Sequence, residues 1–301
     1  MLLQQLAGGT ASSVDFAMIA HDIELVRDVQ GQLSIAGILD PPVDSKWGAV
    51  SQWALGTYLE RGGFDPDRGI TREAAARLSA ENAGGLFGIS IGEGLASRAI
   101  AAMQRHGYWV SRHPKCLNIV YFEGMNVDGS ANENRPNEFN DARLLISISS
   151  KGEPILEAGW DATTEPGRHY TEQPMEPTGA ARIAFGQYKS WVVGTHLAGR
   201  PSGHEALVQA EQVTVCRDLN QDYSRAGDKM YTGVFGINQH WGYDLPKGNL
   251  ANSSAGCLVG RTKDGHRDFM RLLQGDSRYR ASKAYRFVTT ILPVSALLGD
   301  T

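Results

Sequence analysis

His240 and Cys257 are the two residues of this 301-residue chain whose types and spacing point to covalent chemistry. His240 lies near the end of the glycine-bounded run TGVFGINQHWG, and Cys257 follows 17 positions later in the small-residue run SSAGC. A thiol attacks a carbonyl as its thiolate, and a nearby imidazole both lowers the thiol pKa and carries its proton. The pair predicts a cysteine nucleophile with a histidine base, although on spacing alone an inert buried cysteine is the commoner explanation.

The residues beside Cys257 are small, which leaves room for a substrate carbonyl to approach the sulfur. The backbone amides of Gly256 and Cys257 are expected to point toward that carbonyl and to form an oxyanion cradle. The sequence therefore predicts acyl transfer, provided that the fold brings the two segments together.

The composition limits the kinds of protein that this chain can be. Apolar residues make up 42% of it and charged residues 21%, an ordinary globular balance, and the length suits about two domains. A net charge of −4 with no basic stripe predicts no nucleic-acid partner. No apolar run approaches the roughly 18 residues of a membrane span, and the first residues carry no recognisable export signal.

The cysteines and histidines also bear on cofactors and disulfides. Either all three cysteines are reduced, or Cys116 pairs with Cys216 and leaves Cys257 free. No pair of histidines has zinc-ligand spacing with a third ligand nearby. We therefore expect neither a metal nor another cofactor.

Residues 15–110 carry the patterns of a small helical bundle, after a loose tail over residues 1–14. Apolar residues recur at helical spacing from Asp15 to Leu39, where Asp40-Pro41-Pro42 ends the pattern. Further helices are predicted over Trp47–Glu60, Thr71–Glu81 and Leu95–His106.

Residues 111–301 form a β-rich half, in which one helix is expected at His266–Leu273. Glycine, proline, asparagine and aspartate clusters separate its short β-prone runs, a pattern typical of a mostly antiparallel β domain. The predicted strands are Leu117–Phe122, Leu144–Ser149, Ser190–Val193, Gln212–Cys216, Gly233–Ile237 and Tyr285–Leu292, and a long loop is expected over Asn126–Asp141.

The helical half resembles the peptidoglycan-binding module of bacterial cell-wall enzymes. Members combine a Val-x-x-Val/Leu-Gln helix with a loop that carries Val-Asp and an aromatic-Gly pair. The matching positions are Val26, Val29, Gln30, Val43, Asp44, Trp47 and Gly48. The resemblance implies a module that targets a catalytic domain to its polymeric substrate.

The region from Arg143 to Leu292 resembles the L,D-transpeptidase catalytic domain of YkuD type. In that family a His-Gly/Ser element precedes a Ser/Thr-His-Gly-Cys element by some fifteen to twenty residues. The base falls on His240, the Ser/Thr on Ser254, the glycine on Gly256 and the nucleophile on Cys257.

Three features depart from the family pattern. Ala255 replaces the second histidine, which shapes the oxyanion site in most members. Trp241 separates His240 from Gly242, and the insert from Ala184 to Tyr231 is long. We interpret the chain as a divergent branch that keeps the nucleophile and the base.

The resemblance implies an α+β protein, with a small N-terminal helical bundle followed by a mostly antiparallel β catalytic domain of YkuD type. It implies cysteine-dependent acyl transfer on the stem peptides of peptidoglycan, in the periplasm or outside the cell. Cys257, His240, Gly256 and Ser254 would be catalytic. The expected substrate-binding residues are Trp241, Gly242, Asn238, Arg261 and Tyr188.

Two other functions stay open. A cysteine peptidase or carboxypeptidase of the same fold, carried by a phage or secreted, would cleave stem peptides, and a missing export signal favours it. A non-catalytic wall-binding protein is the other, and Ala255 is its main support. His196 and His204 are interpreted as solvated loop residues on either side of Gly199–Gly203, and His266 fits neither catalytic pattern.

Overall fold

The computed structural model describes residues 2–10, 12–80 and 83–298. These residues form a mixed protein of helices and strands, with the helices concentrated in the first third and a large, mostly antiparallel sheet in the remainder. The predicted order of a helical half before a β half is therefore confirmed at this level.

The described residues of the N-terminal third contain six helices. They are α1 (Leu3–Gly8), α2 (Phe16–Ile19), α3 (Ile23–Ile35), α4 (Ala49–Arg61), α5 (Arg72–Ser79) and α6 (Leu95–Arg105), with short 3₁₀ turns at Pro66–Arg68 and Ala83–Phe87 and a two-stranded ribbon of β1 (Ser13–Val14) and β2 (Ile70–Thr71). Asp22 caps α3, because its carboxylate accepts a hydrogen bond from the Leu25 amide. The helix predicted to continue from Asp15 is thus broken into α2 and α3.

Two predictions for this region need correction or lie outside the described residues. The loose tail over 1–14 is wrong for residues 3–8, because Leu3 and Leu6 are buried in the helical core and hold α1 in place. The predicted end of a helix at Glu81 falls outside the described residues, and α5 ends at Ser79.

The polar residues of the module-like motif bind one another. The Gln30 side chain donates to Asp44 Oδ1 (2.9 Å) and to Ser51 Oγ (3.0 Å), and it accepts from the Ser45 amide (2.9 Å). These bonds fasten the loop before α4 to α3. Gln30 and Asp44 therefore have a structural role in holding this loop.

Thirteen strands are described in all, and eight of them close into a barrel. The eleven that follow α6 are β3 (Asn118–Glu123), β4 (Asp141–Ile148), β5 (Pro154–Thr163), β6 (Ala180–Ile183), β7 (Gly186–His196), β8 (His204–Gln209), β9 (Val213–Asp218), β10 (Lys229–Gly233), β11 (Gln239–Trp241), β12 (Leu258–Gly260) and β13 (Phe287–Pro293). The barrel order is β11-β12-β5-β4-β3-β13-β7-β8, and β10-β9-β6 form a second sheet. Within the barrel, β11–β12 and β13–β3 are parallel, and the other pairs are antiparallel.

Four helices accompany the strands: α7 (Arg168–Glu172), α8 (Lys263–Gln274), α9 (Ser277–Ala281) and α10 (Val294–Leu298). The helix expected at His266–Leu273 lies within α8. The segment interpreted as an insert, Ala184–Tyr231, supplies β7 and β8 and is therefore part of the barrel itself.

The strand predicted over Gly233–Ile237 is wrong. Only Gly233 belongs to a strand, and the chain then bends through Gly236, whose φ is +77°. The amides of Phe235 and Ile237 both donate to Oε1 of Gln209 (3.0 and 2.8 Å). A single side chain thus replaces the ladder bonds of a neighbouring strand.

Helix α6 packs on the barrel and on α10, in an apolar cluster separate from that of α1–α5. Its Ile100 and Met103 belong to the same apolar cluster as Val120 and Leu144, whereas the cluster formed by α1–α5 contains no residue beyond Phe87 among its buried members. The domain boundary at residue 110 stays a prediction, and the packing places α6 with the β-rich part.

A buried carboxylate joins the helical part to the barrel. Asp40, which follows α3, is 2% exposed and pairs with Lys189 of β7 at 2.6 Å. It also accepts a hydrogen bond from the Tyr285 hydroxyl (3.0 Å) and lies 3.6 Å from the Arg278 guanidinium. Removing one partner from such a network leaves buried charges without compensation.

Asp40→Ala should therefore destabilise the protein strongly. We expect the free energy of unfolding to fall by about 3–5 kcal/mol in urea titrations. Asp268→Ala is the matched control, because Asp268 forms an exposed pair with Arg271 whose loss should cost about 0–1 kcal/mol. Equal losses for the two variants would contradict the role of Asp40.

Candidate active site

The parallel pairing of β11 with β12 brings the two predicted catalytic segments side by side. Leu258 donates to the Asn238 carbonyl (2.9 Å), Gly242 donates to the Gly260 carbonyl (2.7 Å), and His240 is opposite Val259. Side chains alternate along a strand, so His240 shares a sheet face with Val259 and with the position two residues before it, Cys257. Extending this alternation one residue before β12 makes the two residues diagonal neighbours, which in paired strands lie roughly 7–8 Å apart.

Cys257 is partly exposed as a residue, whereas its thiol is enclosed by protein atoms and forms its hydrogen bonds with backbone groups. The sulfur accepts from the Asn238 amide at 3.4 Å and donates to the Gly236 carbonyl at 3.5 Å. Burial raises the pKa of Cys257 to about 11, against the smaller opposing effect of the Asn238 amide. The resting residue is therefore a neutral thiol at pH 7.

His240 is buried and neutral, with its tautomer fixed. Its Nδ1 lies 2.8 Å from the Trp241 carbonyl, and because a carbonyl only accepts, Nδ1 carries the proton. Nε2 is then the basic nitrogen. Burial, together with the neighbouring His196, lowers the pKa of His240 to about 3.

His240 and Cys257, predicted as base and nucleophile, share no hydrogen bond in the described structure. The hydrogen bonds of the sulfur go to Asn238 and Gly236, and that of the ring goes to Trp241. The sequence correctly placed the two side chains on neighbouring segments. It did not predict that backbone groups would hold the thiol in the resting protein.

The turn before β12 is held by Ser254. The Gly256 amide donates to Ser254 Oγ (3.1 Å), and the Ser254 hydroxyl donates to the Cys257 carbonyl (2.9 Å). The Gly256 amide is therefore engaged and is not a free oxyanion donor, contrary to the prediction. Ser254 is a positioning residue, because it acts through the backbone of the turn.

Of the two amides predicted to form an oxyanion cradle, that of Cys257 is the one left without a hydrogen bond in the described structure. Among the hydrogen bonds of the described residues, none uses this N–H. An amide on the attacking residue itself lies close to the oxygen of any carbonyl that the sulfur attacks.

His196 and Asn238 are parts of the site that sequence reasoning missed or misassigned. The Gln209 amide donates to Asn238 Oδ1 (2.9 Å), so the Asn238 NH₂ group donates to His196 Nδ1 (3.0 Å) and the His196 proton lies on Nε2. The His196 ring stacks on His240, with centroids 3.9 Å apart and planes 8° apart. Burial lowers the pKa of His196 to about 4, with a smaller effect of His204.

The stacking of His196 on His240 depends on the β7–β8 hairpin and on the pairing of β8 with β11. His196 and His204 are directly opposite each other in the hairpin, and they are not solvated loop residues as predicted. The position of these two histidines on either side of a predicted turn in the sequence was a signal that they could pair across a hairpin. Nothing local indicated that β11 would then place His240 against His196.

Trp241 and Gly242 follow His240 in the chain and pack against side chains of neighbouring segments. Trp241 stacks on His204 at 3.7 Å and 9°. A Cβ on Gly242 would lie 2.6 Å from the Phe139 ring, so the glycine is required for packing. Neither residue is brought into hydrogen-bond contact with the sulfur.

Arg261 and Tyr188 are bound elsewhere. The Arg261 guanidinium pairs with Asp161 at 3.2 Å, and the Tyr188 hydroxyl donates to the Ala184 carbonyl at 3.0 Å. Burial raises the pKa of Tyr188 to about 12. The structure gives both residues structural contacts, and their assignment to substrate binding stays a prediction.

Tyr243 is a further neighbour that the sequence analysis did not single out. Its ring centroid lies 6.4 Å from that of His240, and its φ is +60°. Burial raises the pKa of Tyr243, and negative charge on Cys257 would raise it further.

His266 is a core histidine. It donates from Nε2 to the Glu205 carbonyl (3.0 Å), and its Nδ1 faces Arg143 at 3.4 Å. Burial lowers the pKa of His266 to about 2, with Arg143 as the second cause.

All three cysteines are free thiols, so the alternative in which Cys116 pairs with Cys216 is not realised. Cys116 and Cys216 are buried, whereas Cys257 is partly exposed. Within the described ranges no group of three His, Cys, Asp or Glu side chains is arranged to hold a metal ion. None of the helices in those ranges has the length and apolar character needed to cross a bilayer.

Comparison with known proteins found no match among family models, curated proteins or solved structures. The likeness to L,D-transpeptidases therefore rests on the residues around His240 and Cys257.

Gly256 has a backbone conformation that only glycine tolerates well. Its φ is +124°, and a Cβ there would lie 2.4 Å from the Ala181 carbonyl oxygen. Gly256→Ala should lower the free energy of unfolding by roughly 1–3 kcal/mol. Gly248→Ala, with open space around it, should change it by no more than about 0.5 kcal/mol. If both variants unfold at the same urea concentration, the turn is not constrained as described.

Acid should destabilise the fold through its neutral buried histidines. Burial lowers the pKa of His240 to about 3 and of His196 to about 4, from 6.5 in an exposed histidine. The unfolded chain binds these protons below about pH 6.5 and the folded chain does not, so stability present above pH 6.5 is lost as the pH falls toward 4.

Urea titrations between pH 7.5 and 4.5 test this prediction. His240→Gln should show a shallower loss of stability than the unmodified protein, because one such group is removed. His21→Gln, at an exposed position, is the control and should keep the original slope. An unchanged slope in His240→Gln would contradict the burial of a neutral imidazole.

Proposed function

We propose that this chain is a cysteine-dependent acyl transferase that acts on the stem peptides of peptidoglycan through a Cys257 thioester. The observation that carries the proposal is the β11–β12 pairing, which puts the thiol of the partly exposed Cys257 and an imidazole of fixed tautomer on one sheet face. The substrate class comes from the resemblance of the two motifs. The cell wall, in the periplasm or outside the cell, is the corresponding place of action.

In the proposed first step, the thiol leaves the Gly236 carbonyl and turns toward His240. Nε2 of His240 takes the thiol proton as the sulfur attacks the carbonyl carbon of the donor peptide. The carbonyl oxygen becomes an oxyanion and accepts a hydrogen bond from the Cys257 amide. The bond to the leaving amine then breaks, and the His240 imidazolium protonates that amine.

In the second step an acceptor resolves the thioester. An amine of another stem peptide attacks it, His240 takes the proton of that amine, and the thiolate of Cys257 leaves and is reprotonated. Water in place of the amine gives trimming, the reaction of a peptidase. The groove around the site, and not the two catalytic side chains, would decide between them.

The pKa shifts of Cys257 and His240 bear on the stage of the proposed reaction at which the thiolate and the imidazolium form. Burial disfavours both the thiolate of Cys257 and the imidazolium of His240, so the resting pair is neutral. Proton transfer is then coupled to attack on the substrate, whose oxyanion receives the negative charge. This mechanism differs from one with a preformed thiolate–imidazolium pair.

A non-catalytic wall-binding protein is the second candidate. The specific observation in its favour is that the sulfur and the ring have separate backbone partners in the resting structure. The two candidates differ in whether the wall is chemically changed.

Incubation with a mixture of muropeptides, followed by mass spectrometry, tests the proposal. The unmodified protein should produce cross-linked dimers, or shortened stems if water is the acceptor. Cys257→Ala should abolish both, and His240→Gln should slow product formation about 10²–10⁴-fold. Cys216→Ala, which alters a thiol outside the site, should keep the original activity.

Two outcomes would contradict the proposed acyl transfer. If folded protein sediments with sacculi and leaves every muropeptide unchanged, the wall-binding function replaces the catalytic one. If Cys257→Ala keeps the activity, Cys257 is not the nucleophile.

A further inference from the structure

A cleft of about 550 Å³ lies between the helical part and the barrel, away from Cys257 and His240. Four segments form its walls: the end of α4, residues 85–90, the loop 112–114 and the turn 149–152 between β4 and β5. Both the helical part and the β-rich part therefore contribute residues to the lining of the cleft. The proposed acyl transfer uses none of its residues.

Three cations line this cleft without an acidic partner. They are Arg61, Arg112 and Lys151, and none of them forms an ion pair within the described part of the chain. Glu60 is the acidic residue of the lining, and it is exposed. The surplus of positive charge favours an anionic ligand.

The two guanidinium groups are held in place by carbonyls, which orient a cation but do not neutralise it. Arg61 donates to the Ser150 carbonyl (2.7 Å) and to the Leu86 carbonyl (3.4 Å). Arg112 makes one long bond to the Phe87 carbonyl (3.5 Å), and its buried Nε has no hydrogen-bond partner among the described residues. Burial lowers the pKa of Arg112.

The rest of the lining suits hydroxyl groups of a ligand. The side chains of Thr57, Ser90, Ser149 and Ser150 offer hydroxyls, and Gly85, Gly88 and Gly152 leave the backbone open to close approach. His113 is neutral, because burial lowers its pKa to about 4, and its ring packs against the edge of Trp53 at 5.3 Å. These named groups are polar or cationic, and Leu86, Ile89 and Pro114 add apolar surface to the same lining.

We propose that this cleft binds a phosphoryl group carried on a sugar or another polyol. Guanidinium groups match phosphate oxygens through paired N–H donors, and the serine and threonine hydroxyls match those of a polyol. Such a ligand would contact the helical part through Arg61 and the β-rich part through Arg112 and Lys151. It would therefore stabilise the association of the two.

Calorimetry at low ionic strength tests the proposal with three probes: inorganic phosphate, a hexose phosphate and the uncharged hexose. We expect the hexose phosphate to bind more tightly than inorganic phosphate, and the uncharged hexose to bind far more weakly than either. Arg61→Gln and Arg112→Lys should each weaken phosphate binding about tenfold or more, since each removes charge-assisted hydrogen bonds. Arg112→Lys keeps a positive charge, and thermal unfolding shows whether it is folded.

Arg271→Gln is the control, because Arg271 lies on the exposed face of α8, and it should bind both phosphates normally. Absence of binding by both phosphates would overturn the proposal, as would equal affinity in Arg61→Gln, Arg112→Lys and the unmodified protein. Equal affinity for the two phosphates would overturn the polyol part. None of these outcomes depends on the activity of Cys257.

Discussion

The site depends on the pairing of two three-residue strands that run in the same direction. β11 and β12 join segments separated in sequence by a long loop, and their ladder includes the bond from Leu258 to Asn238 at 2.9 Å. A hydrogen bond contributes only about 1 kcal/mol, so strands this short do not hold a register by themselves. Their neighbours do so, because β8 pairs with β11, β5 pairs with β12, and the barrel closes around them.

Several side chains near Cys257 serve to position backbone rather than to react. The Ser254 hydroxyl holds the turn before β12, and the Gln209 side chain takes the place of a neighbouring strand. The backbone N–H of Asn238 donates to the Cys257 sulfur, and the side-chain NH₂ group of Asn238 donates to His196. The result is a thiol and an imidazole that are both kept neutral by burial. In the proposed reaction, negative charge that forms on the substrate needs stabilisation, which we assign to the Cys257 amide because no hydrogen bond of the described residues uses it.

The sequence predicted the elements whose signals are local. Leu117–Phe122 became β3, Leu95–His106 became α6, and His266–Leu273 lies within α8, because apolar periodicity and capping act over a few residues. It also indicated that His240 and Cys257 belong to adjacent segments. The YkuD-type fold and the transpeptidase activity stay predictions.

What the sequence did not predict depends mostly on distant contacts. The stack of His196 on His240, for example, requires barrel closure. The engagement of the Gly256 amide is local, but it depends on the side-chain rotamer of Ser254, which the residue type does not specify. The irregular path after Gly233 depends on Gln209, a side chain from another strand. The long segment interpreted as an insert is the source of β7 and β8, so the barrel cannot be deduced without it.

The central claim is that the Cys257 sulfur reaches the His240 ring once a substrate is bound. A crystal structure of a Cys257-acylated or peptide-bound form measures this directly as the distance from Sγ to Nε2. We predict that the two atoms lie within hydrogen-bond reach, directly or through one water. A sulfur that stays on the Gly236 carbonyl, sealed from the ring and from the bound peptide, would contradict the account.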